Sequence, residues 1–546
     1  MRLSGALFGA AAVAAGAGLL AVGQDRPEAK ASGESCRIEG RVTEADGKTP
    51  VEGAFVNLNP PRGLPLKTDG QGRYVFESLQ PGGYGVNVEK EGYVTIGLRR
   101  LVRLQAGERA SGIDFRLPRQ AVVTGRVFDA RRNPLAGALV CAWQMVYLDG
   151  VRSPQGNCTT ESDDRGEYRL TRLAEGFWYI GAVRTDIVRL HAPPRSKRAD
   201  SSKGSAAMVV HPNALWFDAA APIYLRAGEE RTGVDIVFPE VNRFCVRGSL
   251  EAAGGTETFV QINPQNPNFP LRSLIVARVP RPGPFEICNL APGSYVLRAT
   301  LSGPDGSPAP GGLVFAEFTI TDRDVELGEI RLDTGTSVPG QVTLAEGGSA
   351  RSPEGLYVGL RPYQRFPFMG ENPTGPVDAS GRFVLKRLFS SSLYWGPAVS
   401  SKDYLPAKGF YIKEAWMGGK DPRREPVYPG AGELRLVVGS DGAALHGRIV
   451  RKDDEPAADA LAVLAPAPLT TAVSPYEILI RGADQHGRFE IESIPPGEYR
   501  LLAFEDVTAG EAKSAEFLRG YLSRATEIRL GPHETRTVSV RVISRQ

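Results

Sequence analysis

Five histidines are the residues whose spacing bears most directly on metal chemistry. A catalytic zinc site of the common hydrolase type needs a His-x-x-Glu pair and a distant second His around an open coordination position. The residues three positions after His191, His211, His446, His486 and His533 are, in order, Pro194, Ala214, Ile449, Phe489 and Arg536. The sequence therefore predicts no zinc site of this type. His486 falls in a hairpin turn, where we expect a solvated side chain.

Other catalytic patterns are also missing from the sequence. It contains no Gly-x-Ser-x-Gly elbow, no glycine-rich phosphate loop and no His-Glu-x-x-His pair. Paired carboxylates contributed by distant strands, as in a glycoside hydrolase, leave no such mark in a sequence. The sequence favours a non-enzymatic protein without a cofactor. One alternative stays open, that its domains are accessories of a hydrolase whose site is not visible in the sequence.

Four aromatic residues outside the repeated patterns are candidates for ligand contact. Trp216 and Phe217 fall within a long insertion, residues 187–222, and Tyr411 and Trp416 fall in a second irregular stretch flanked by polar residues. Aromatic rings exposed on loops are typical of recognition surfaces. We interpret these residues as candidate contacts to a surface glycan or a protein partner. Docking of the rings on a neighbouring domain is the open alternative.

The N-terminus predicts export. Arg2 is followed by an apolar run from Ala6 to Val22, and small residues precede Gln24 at the positions that a signal peptidase requires. We predict a signal peptide over residues 1–23 and a linker over residues 24–35, with an uncleaved membrane anchor as the alternative. No later stretch reaches the roughly 18 apolar residues of a transmembrane helix. We therefore expect a protein of the periplasm, the cell surface or the extracellular medium, without a membrane span in the mature chain.

Length and composition restrict the fold and the partners. The 546 residues exceed what one hydrophobic core serves, so several domains are expected. A formal net charge of +3 over this length selects neither nucleic acid nor an anionic surface. Glycine (63) and proline (42) are frequent, while an apolar fraction of 42% is too high for a disordered chain. This combination favours many short strands joined by tight turns.

Three short patterns recur in the same order along the chain, which indicates a repeat. Each unit opens with a glycine, a polar residue and an aliphatic residue. The opening glycines are Gly40, Gly125, Gly248, Gly340 and Gly447. Each interval between them suits one sandwich of about seven short strands near 100 residues.

The second pattern is Asp-x-x-Gly-x-aromatic, which is typical of a hairpin turn followed by an alternating strand. Its copies are Asp69/Gly72/Tyr74, Asp163/Gly166/Tyr168, Asp378/Gly381/Phe383 and Asp484/Gly487/Phe489, with a reduced copy at Gly283/Phe285. A calcium site would need six or more oxygen ligands, which a four-residue turn does not supply. The hairpin interpretation is therefore favoured over calcium binding.

The third pattern is an aliphatic residue, a turn and then Tyr or Trp at the start of the next strand. Tyr84, Trp178, Tyr295 and Tyr499 occupy this position in four units, where a structural role at a sandwich corner explains them. The fourth unit, with Leu388 to Leu393, has lost the turn residues. Units three and four are thus degenerate copies of the repeat.

These residues together resemble the carboxypeptidase regulatory-like domain of bacterial multi-repeat proteins, whose fold is similar to transthyretin and to carbohydrate-binding sandwiches. The resemblance implies an all-β chain, a tandem array of about five Ig-like or transthyretin-like β-sandwich domains. We place the domains at residues 36–119, 120–241, 242–335, 336–440 and 441–546. In this family the domain is a folding or interaction unit without chemistry of its own.

Cysteine positions predict two disulfide bonds in an exported chain. Aligning the units by the opening and hairpin glycines puts Cys245 where unit one has Arg37, and Cys288 where it has Glu77. The replacement of an Arg/Glu pair in one unit by two cysteines in another predicts that the two positions face each other across strands. Cys141 and Cys158 lie on successive strands of unit two and form the second candidate pair, provided that their Cα atoms lie within about 7 Å. Cys36 then stays outside both bonds or links two molecules.

The function predicted from the sequence is that of an exported, non-enzymatic structural or interaction protein of the cell envelope or secretome. Its partner would be a protein or a surface glycan, with strand addition at a sheet edge as one route of binding. A carbohydrate-binding protein that uses the four loop aromatics is the alternative. Because the linkers between units are short, we expect the array to form a semi-rigid rod.

Overall fold

The protein is described from a computed structural model. The structure describes residues 35–544 apart from 62–63, 96–98, 149–150, 185–188, 192–203, 206–207, 216–218, 252–257, 265–274, 280–282, 303–307, 351, 363–372, 390–393, 403–404 and 471–475. The predicted signal peptide and nearly all of the predicted linker lie outside the described residues. Within them, no helix is both long and apolar enough to cross a membrane.

The described residues are nearly all β, and five main hydrophobic cores follow one another along them, with two smaller clusters beside those of the second and fifth. Their buried residues lie between 36 and 117, 121 and 238, 246 and 332, 338 and 438, and 443 and 540. Each core lies between two sheets formed by the same stretch of chain, apart from one short strand of the second stretch that joins a sheet of the third. The predicted all-β array of about five sandwiches is therefore what the structure shows, and we refer to these stretches as domains 1 to 5.

Domains 1 and 2 contain the first twenty strands. Domain 1 comprises β1 (Cys36–Glu44), β2 (Phe55–Asn59), β3 (Leu66–Lys67), β4 (Arg73–Leu79), β5 (Gly82–Glu89), β6 (Arg99–Leu104), β7 (Arg109–Ala110) and β8 (Phe115–Leu117). Domain 2 comprises β9 (Ala121–Phe128), β10 (Ala138–Leu148), β11 (Val151–Glu161), β12 (Glu167–Leu173), β13 (Gly176–Arg184), β14 (Arg189–His191), β15 (Gly204–Ser205), β16 (Met208–Val210), β17 (Ile223–Leu225), β18 (Glu230–Arg231), β19 (Ile236–Val237) and β20 (Glu240–Val241).

The remaining domains contain β21 to β41 and the short helices. Domain 3 comprises β21 (Phe244–Glu251), β22 (Thr258–Pro264), β23 (Ile275–Val279), β24 (Pro284–Leu290), β25 (Gly293–Ser302), β26 (Pro308–Ile320) and β27 (Val325–Arg331). Domain 4 comprises β28 (Thr336–Leu344), β29 (Tyr357–Pro362), β30 (Thr374–Pro376), β31 (Arg382–Leu388), β32 (Tyr394–Ser400), β33 (Tyr411–Trp416), a 3₁₀ turn (Pro429–Ala431) and β34 (Leu434–Gly439). Domain 5 comprises β35 (Ala443–Val450), β36 (Leu461–Pro466), β37 (Leu479–Gly482), β38 (Arg488–Ile494), β39 (Gly497–Phe504), α1 (Ala509–Ala512), α2 (Ala515–Arg519), a 3₁₀ turn (Leu522–Arg524), β40 (Thr526–Leu530) and β41 (Thr535–Arg541).

One strand arrangement recurs in all five domains. The opening strand lies in the first sheet, between the strand after the hairpin, which is antiparallel to it, and the closing strand, which is parallel to it. In domain 5 this sheet has the order β38-β35-β41, and the second sheet has the order β37-β36-β39-β40. The parallel closing strand explains why each unit ends with an alternating strand that returns beside its own start.

The opening glycine of every domain lies directly opposite the aromatic residue that follows the hairpin turn. The five register pairs are Gly40 and Tyr74, Gly125 and Tyr168, Gly248 and Phe285, Gly340 and Phe383, and Gly447 and Phe489. A Cβ atom on Gly340 would lie 2.1 Å from the ring of Phe383, and one on Gly447 would lie 2.2 Å from the ring of Phe489. Only a residue without a side chain leaves room for the ring, and for this reason the two patterns recur together.

The corner residues have the structural role that the repeat predicts. The hydroxyl groups of Tyr84, Tyr295 and Tyr499 donate to the carbonyl oxygen four residues earlier, at 2.8, 2.7 and 2.6 Å, and the indole of Trp178 does the same at 2.7 Å. In domain 4 the corresponding residue is Tyr394, one position later than the sequence pattern indicates. Its hydroxyl oxygen accepts from Phe389 N at 2.9 Å. All five domains therefore keep a corner residue, including the unit whose turn residues are lost.

Domain 4 departs from the common arrangement at β33. In domains 1, 3 and 5 the strand after the corner strand pairs with it in the second sheet, and in domain 2 the later strands β16 and β17 pair with the corner strand β13. In domain 4, β33 instead pairs antiparallel with the closing strand β34 and forms an edge of the first sheet. The stretch that the sequence marks as irregular is thus an ordered edge strand.

Contacts between distant domains differ from the expected rod. Loops of domain 5 contact β6 of domain 1, and α1 of domain 5 lies beside β10 of domain 2. A straight row would hold its first and last domains far apart. The expectation of a semi-rigid rod was therefore wrong: short linkers restrict the angle between neighbours, but they do not make successive angles add up to a straight line.

We predict that Gly340→Ala destabilises domain 4 by about 1 to 3 kcal/mol, because the added methyl group forces the ring of Phe383 from its place. Urea-dependent hydrogen exchange of the amides of β28 and β31 in the full chain measures this free energy of unfolding. Gly430→Ala is the matched control in the same domain, since a Cβ atom at Gly430 has no atom within 4 Å. Equal effects of the two substitutions would contradict the packing argument.

Candidate functional site

Two of the four predicted ligand contacts, Trp216 and Phe217, lie outside the described residues. The described part of their insertion, residues 187–222, forms three short strands. β16 extends the second sheet of domain 2 beside β13, β14 pairs in parallel with β23 of domain 3, and β15 pairs with β20. The insertion therefore ties domain 2 to the sheet of domain 3.

Tyr411, the third predicted contact, lies at the boundary between domains 4 and 5. Its ring covers Gly439, where a Cβ atom would lie 2.3 Å from the ring, and its hydroxyl group donates to Asp441 Oδ1 at 2.9 Å. Burial, together with the hydrogen bond to the Asp441 carboxylate, raises the pKa of Tyr411 to about 12. The side chain is thus used in joining β33 to the start of domain 5.

Trp416, the fourth predicted contact, is the last residue of β33. Its side chain is 43% exposed, and it lies opposite Arg435 in the register of β33 and β34. An aromatic side chain this exposed at the end of an edge strand is accessible to a ligand. Of the predicted contacts in the described residues, Trp416 is the accessible one.

A pair of exposed aromatic residues in domain 2 was missed by the sequence analysis. Phe177 and Tyr224 are opposite each other on β13 and β17, with ring centroids 5.0 Å apart and exposed fractions of 61% and 42%. The hydroxyl group of Tyr224 donates to Glu175 Oε1 at 2.7 Å, and this hydrogen bond raises the pKa of Tyr224. The pair presents two rings and a carboxylate on one surface.

A sequence signal for this pair exists. Phe177 immediately precedes the corner residue of its domain, a position held by Gly83, Ser294 and Glu498 in domains 1, 3 and 5. A small or polar residue suits the solvent at this position, so the phenyl ring in domain 2 is a departure from the repeat. Tyr224 has no comparable signal, because its partner is 47 positions away and the pairing of β13 with β17 arises only in the folded domain.

The aspartates of the hairpin turns bind their own backbone. Oδ1 of Asp69 accepts from the amides of Gln71 and Arg73 at 2.9 and 2.8 Å. Asp163, Asp378 and Asp484 make the same two bonds in their turns. The carboxylates therefore serve the hairpins, which is the interpretation that the sequence favours.

An open cleft beside the hairpin of domain 2 also contains several carboxylates. Asp163 caps the turn, Asp235 accepts from the amide of Arg126 at 2.9 Å, and Glu167 binds the guanidinium of Arg126 at 2.6 Å. These three groups are engaged in holding strands together. Three of the four carboxylates that line the cleft, all except Glu161, are thus bound within the domain.

Both predicted disulfide bonds are present in the structure. Cys141 and Cys158 are register partners on β10 and β11, and Cys245 and Cys288 join β21 to β24, with a Cα separation of 3.9 Å in each pair. In domain 1 the positions aligned with Cys245 and Cys288 form an ion pair, Arg37 with Glu77 at 3.4 Å. The same cross-strand position thus holds a covalent bond in one domain and a charge pair in another.

The remaining cysteine observations bear on linkage to a second molecule and on metal binding. Cys36 is 1% exposed, and its thiol donates to Gln105 O at 3.0 Å, so a link to a second molecule would require domain 1 to open. Within the described residues, the group with spacing suited to a metal ion is Cys245, Glu286 and Cys288. Because its two sulfur atoms are bonded to each other, the thiolates that a metal would need are not present.

We predict that Tyr411→Phe destabilises β33 and its attachment to domain 5 by about 1 kcal/mol, since Asp441 loses a partly buried hydrogen bond. Hydrogen exchange of the β33 and β34 amides in the full chain measures the change. Tyr428→Phe is the control, because Tyr428 is an exposed residue of the same domain. If the two variants exchange alike, Tyr411 has no structural role at this boundary.

Comparison with known proteins identifies the first domain. Residues 37–118 match the model of the carboxypeptidase regulatory-like domain, which covers β1 to β8. No curated protein matches the sequence of the chain.

Several solved structures with some likeness to the chain are pilins. BcpA, the major pilin subunit of Bacillus cereus, has 13% identity over 55% of this chain and 100% of its own, with a TM-score of 0.16. GBS52, the minor pilin of Streptococcus agalactiae, has 14% identity over 38% of this chain and 96% of its own, with a TM-score of 0.21. Scores this low support no argument about function. The chain is a multi-domain β-sandwich protein whose first domain matches the carboxypeptidase regulatory-like domain model.

Proposed function

We propose that the protein is an exported, non-enzymatic array that acts as a structural or interaction protein of the cell envelope or the extracellular medium. The observation that carries the proposal is the pair of cross-strand disulfide bonds, because such bonds form and persist in oxidising compartments outside the cytoplasm. The predicted signal peptide over residues 1–23 supports the same compartment.

Bracing between neighbouring domains supports a structural role. β14 of domain 2 extends the sheet of domain 3, and Tyr411 of domain 4 binds Asp441. The guanidinium of Arg361 in domain 4 lies 4.7 Å from the ring centroid of Tyr476 in domain 5. Contacts of this kind hold successive sandwiches at defined angles, so the array presents a fixed surface to a protein partner.

Export is tested by comparing the full chain with a variant that lacks residues 2–23. We expect the full chain outside the cytoplasm with both disulfide bonds formed, and the truncated chain in the cytoplasm with reduced cysteines. Cell fractionation and non-reducing peptide mapping measure both. A full chain found in the cytoplasm with reduced cysteines contradicts the proposal.

Loss of the Cys245–Cys288 bond, which closes a loop of 43 residues, should lower the free energy of unfolding of domain 3 by about 2 to 4 kcal/mol.

Carbohydrate binding is a second candidate function, and the exposed pair of Phe177 and Tyr224 favours it. Aromatic rings supply apolar faces, and the carboxylate of Glu175 at 2.7 Å from the Tyr224 hydroxyl supplies an acceptor for a sugar hydroxyl. Trp416 is an independent candidate on domain 4.

Affinity gels containing cell-surface polysaccharides test this candidate. We expect Phe177→Ala to weaken retention about tenfold, which corresponds to the loss of one ring contact of about 1.4 kcal/mol. Tyr428→Ala, at an exposed aromatic residue of domain 4, is the control and should leave retention unchanged. Trp416→Ala tells whether domain 4 contributes. A wild-type chain that no polysaccharide retains would rule out this function.

A further inference from the structure

Domain 5 contacts one strand of domain 1 through a small group of polar side chains. Asp459 Oδ2 lies 2.8 Å from Arg100 Nη1, and its other carboxylate oxygen accepts from Leu101 N at 3.4 Å. Arg100 and Leu101 belong to β6, more than 350 positions earlier in the chain. The contact therefore brings the first and the last domain of the array together.

Gln485 binds the backbone of the same strand twice. Its amide nitrogen donates to Arg103 O at 2.7 Å, and its amide oxygen accepts from Arg103 N at 3.1 Å. These are the two hydrogen bonds that one residue of an antiparallel neighbour strand would exchange with Arg103. His486, the next residue, has Nε2 at 3.1 Å from Glu108 Oε1. The side chain, which we expected to be solvated, is 48% exposed and also takes part in this contact.

β6 is an edge strand, so its outer backbone groups need a partner or a cover. It pairs with β5 on one side, in the sheet of order β3-β2-β5-β6, and no described strand pairs with its other side. An edge strand that is left uncovered is a template for pairing with another chain. The outer amides of Leu101 and Arg103 are the groups that Asp459 and Gln485 occupy.

The residue type at position 459 differs from that in the corresponding turns of domains 1 and 2. Asp459 has a φ of 61°, and the corresponding positions in domains 1 and 2 are held by Gly53 and Gly137, with φ of 66° and 71°. Each of these residues comes three positions after a proline that forms the same bridge to the opening strand. Glycine adopts this left-handed conformation without steric strain, and aspartate is one of the few other residues that visit it. The carboxylate that replaces glycine in domain 5 meets Arg100.

Gln485 and His486 are also the variable residues of their turn. In the pattern Asp-x-x-Gly, the middle pair is Gly70-Gln71 in domain 1 and Ala379-Ser380 in domain 4. The hairpin requires the outer aspartate and glycine but not these two residues. In domain 5 both variable positions hold side chains that contact domain 1.

We propose that Asp459, Gln485 and His486 form a clasp that docks domain 5 on the outer edge of β6 and covers this edge against strand pairing with a second copy of the chain. The inference goes beyond the proposed function and does not depend on export. The clasp can open without unfolding either domain, because the cores of domains 1 and 5 share no residue. Burial raises the pKa of Asp459 against the opposing effect of Arg100, as expected for a carboxylate placed in an interface.

The test uses the full chain with Leu101→Cys and Gly482→Cys, because a Cβ atom at Gly482 would lie 4.0 Å from Leu101 Cδ1. In dilute protein under oxidising conditions, we expect a crosslink within one chain, detected by non-reducing peptide mapping. Adding Asp459→Gly and Gln485→Ala should lower its yield at least tenfold. Since glycine suits the turn better than aspartate, domain 5 should keep its hydrogen-exchange protection.

The Asp459→Gly, Gln485→Ala variant without the two introduced cysteines tests whether the clasp protects the outer edge of β6 from strand pairing. We expect the variant to self-associate with rising concentration by light scattering, while the wild-type chain stays monomeric. Asp454→Gly is the matched control, because Asp454 also has a φ of 61° in domain 5 but binds Arg541 of its own domain. Gln71→Ala is the control for the turn position. Both controls should behave as the wild type.

Three results would overturn the clasp. The first is an undiminished crosslink in the Asp459→Gly, Gln485→Ala background. The second concerns the chain that carries only Leu101→Cys and Gly482→Cys. In dilute solution, its crosslink would form between two chains instead of within one. The third is a variant that loses the crosslink yet stays monomeric at every concentration, which would show that the edge needs no cover.

Discussion

In each sandwich, a glycine on the opening strand faces an aromatic ring on the strand after the hairpin, and this pair sets how the first sheet is assembled. The ring of Phe383 fits only because Gly340 has no side chain, and a shift of one residue would put a larger residue under the ring. In domains 1 and 2 the hydroxyl groups of Tyr74 and Tyr168 also reach the carbonyl oxygens of Ile113 and Val234, next to the closing strand. One cross-strand contact thus links the opening, middle and closing strands.

Because this constraint acts on a few positions, the others are free to differ among domains, and exposed aromatic side chains and inter-domain contacts lie at such positions. The residue before the corner is small or polar in three domains and is Phe177 in domain 2. The left-handed turn position is glycine in domains 1 and 2 and is Asp459 in domain 5. In both cases a side chain that the fold does not need appears on the surface, next to a partner or to solvent.

Each domain has its own core, so the arrangement of the array depends on contacts at domain surfaces. Some of these contacts extend a sheet, as β14 does beside β23, and others are side-chain contacts such as that of Tyr411 with Asp441. The array is therefore a set of separately folded units whose surface contacts set the angles between them, which suits a protein that presents surfaces.

The sequence by itself determined the features that depend on local geometry: the five repeats, the hairpin aspartates, the corner residues and, through alignment of the units, the pairing of Cys245 with Cys288. Each of these follows from residues at short or repeated spacing. Tertiary structure alone decided that Tyr411 is used between domains, that Phe177 meets Tyr224, that β33 changes sheets and that domain 5 docks on domain 1. Contacts between residues hundreds of positions apart depend on the angles at every joint between them. Each angle results from many small packing contacts at a domain boundary, and a local sequence pattern does not predict how these angles combine along the chain.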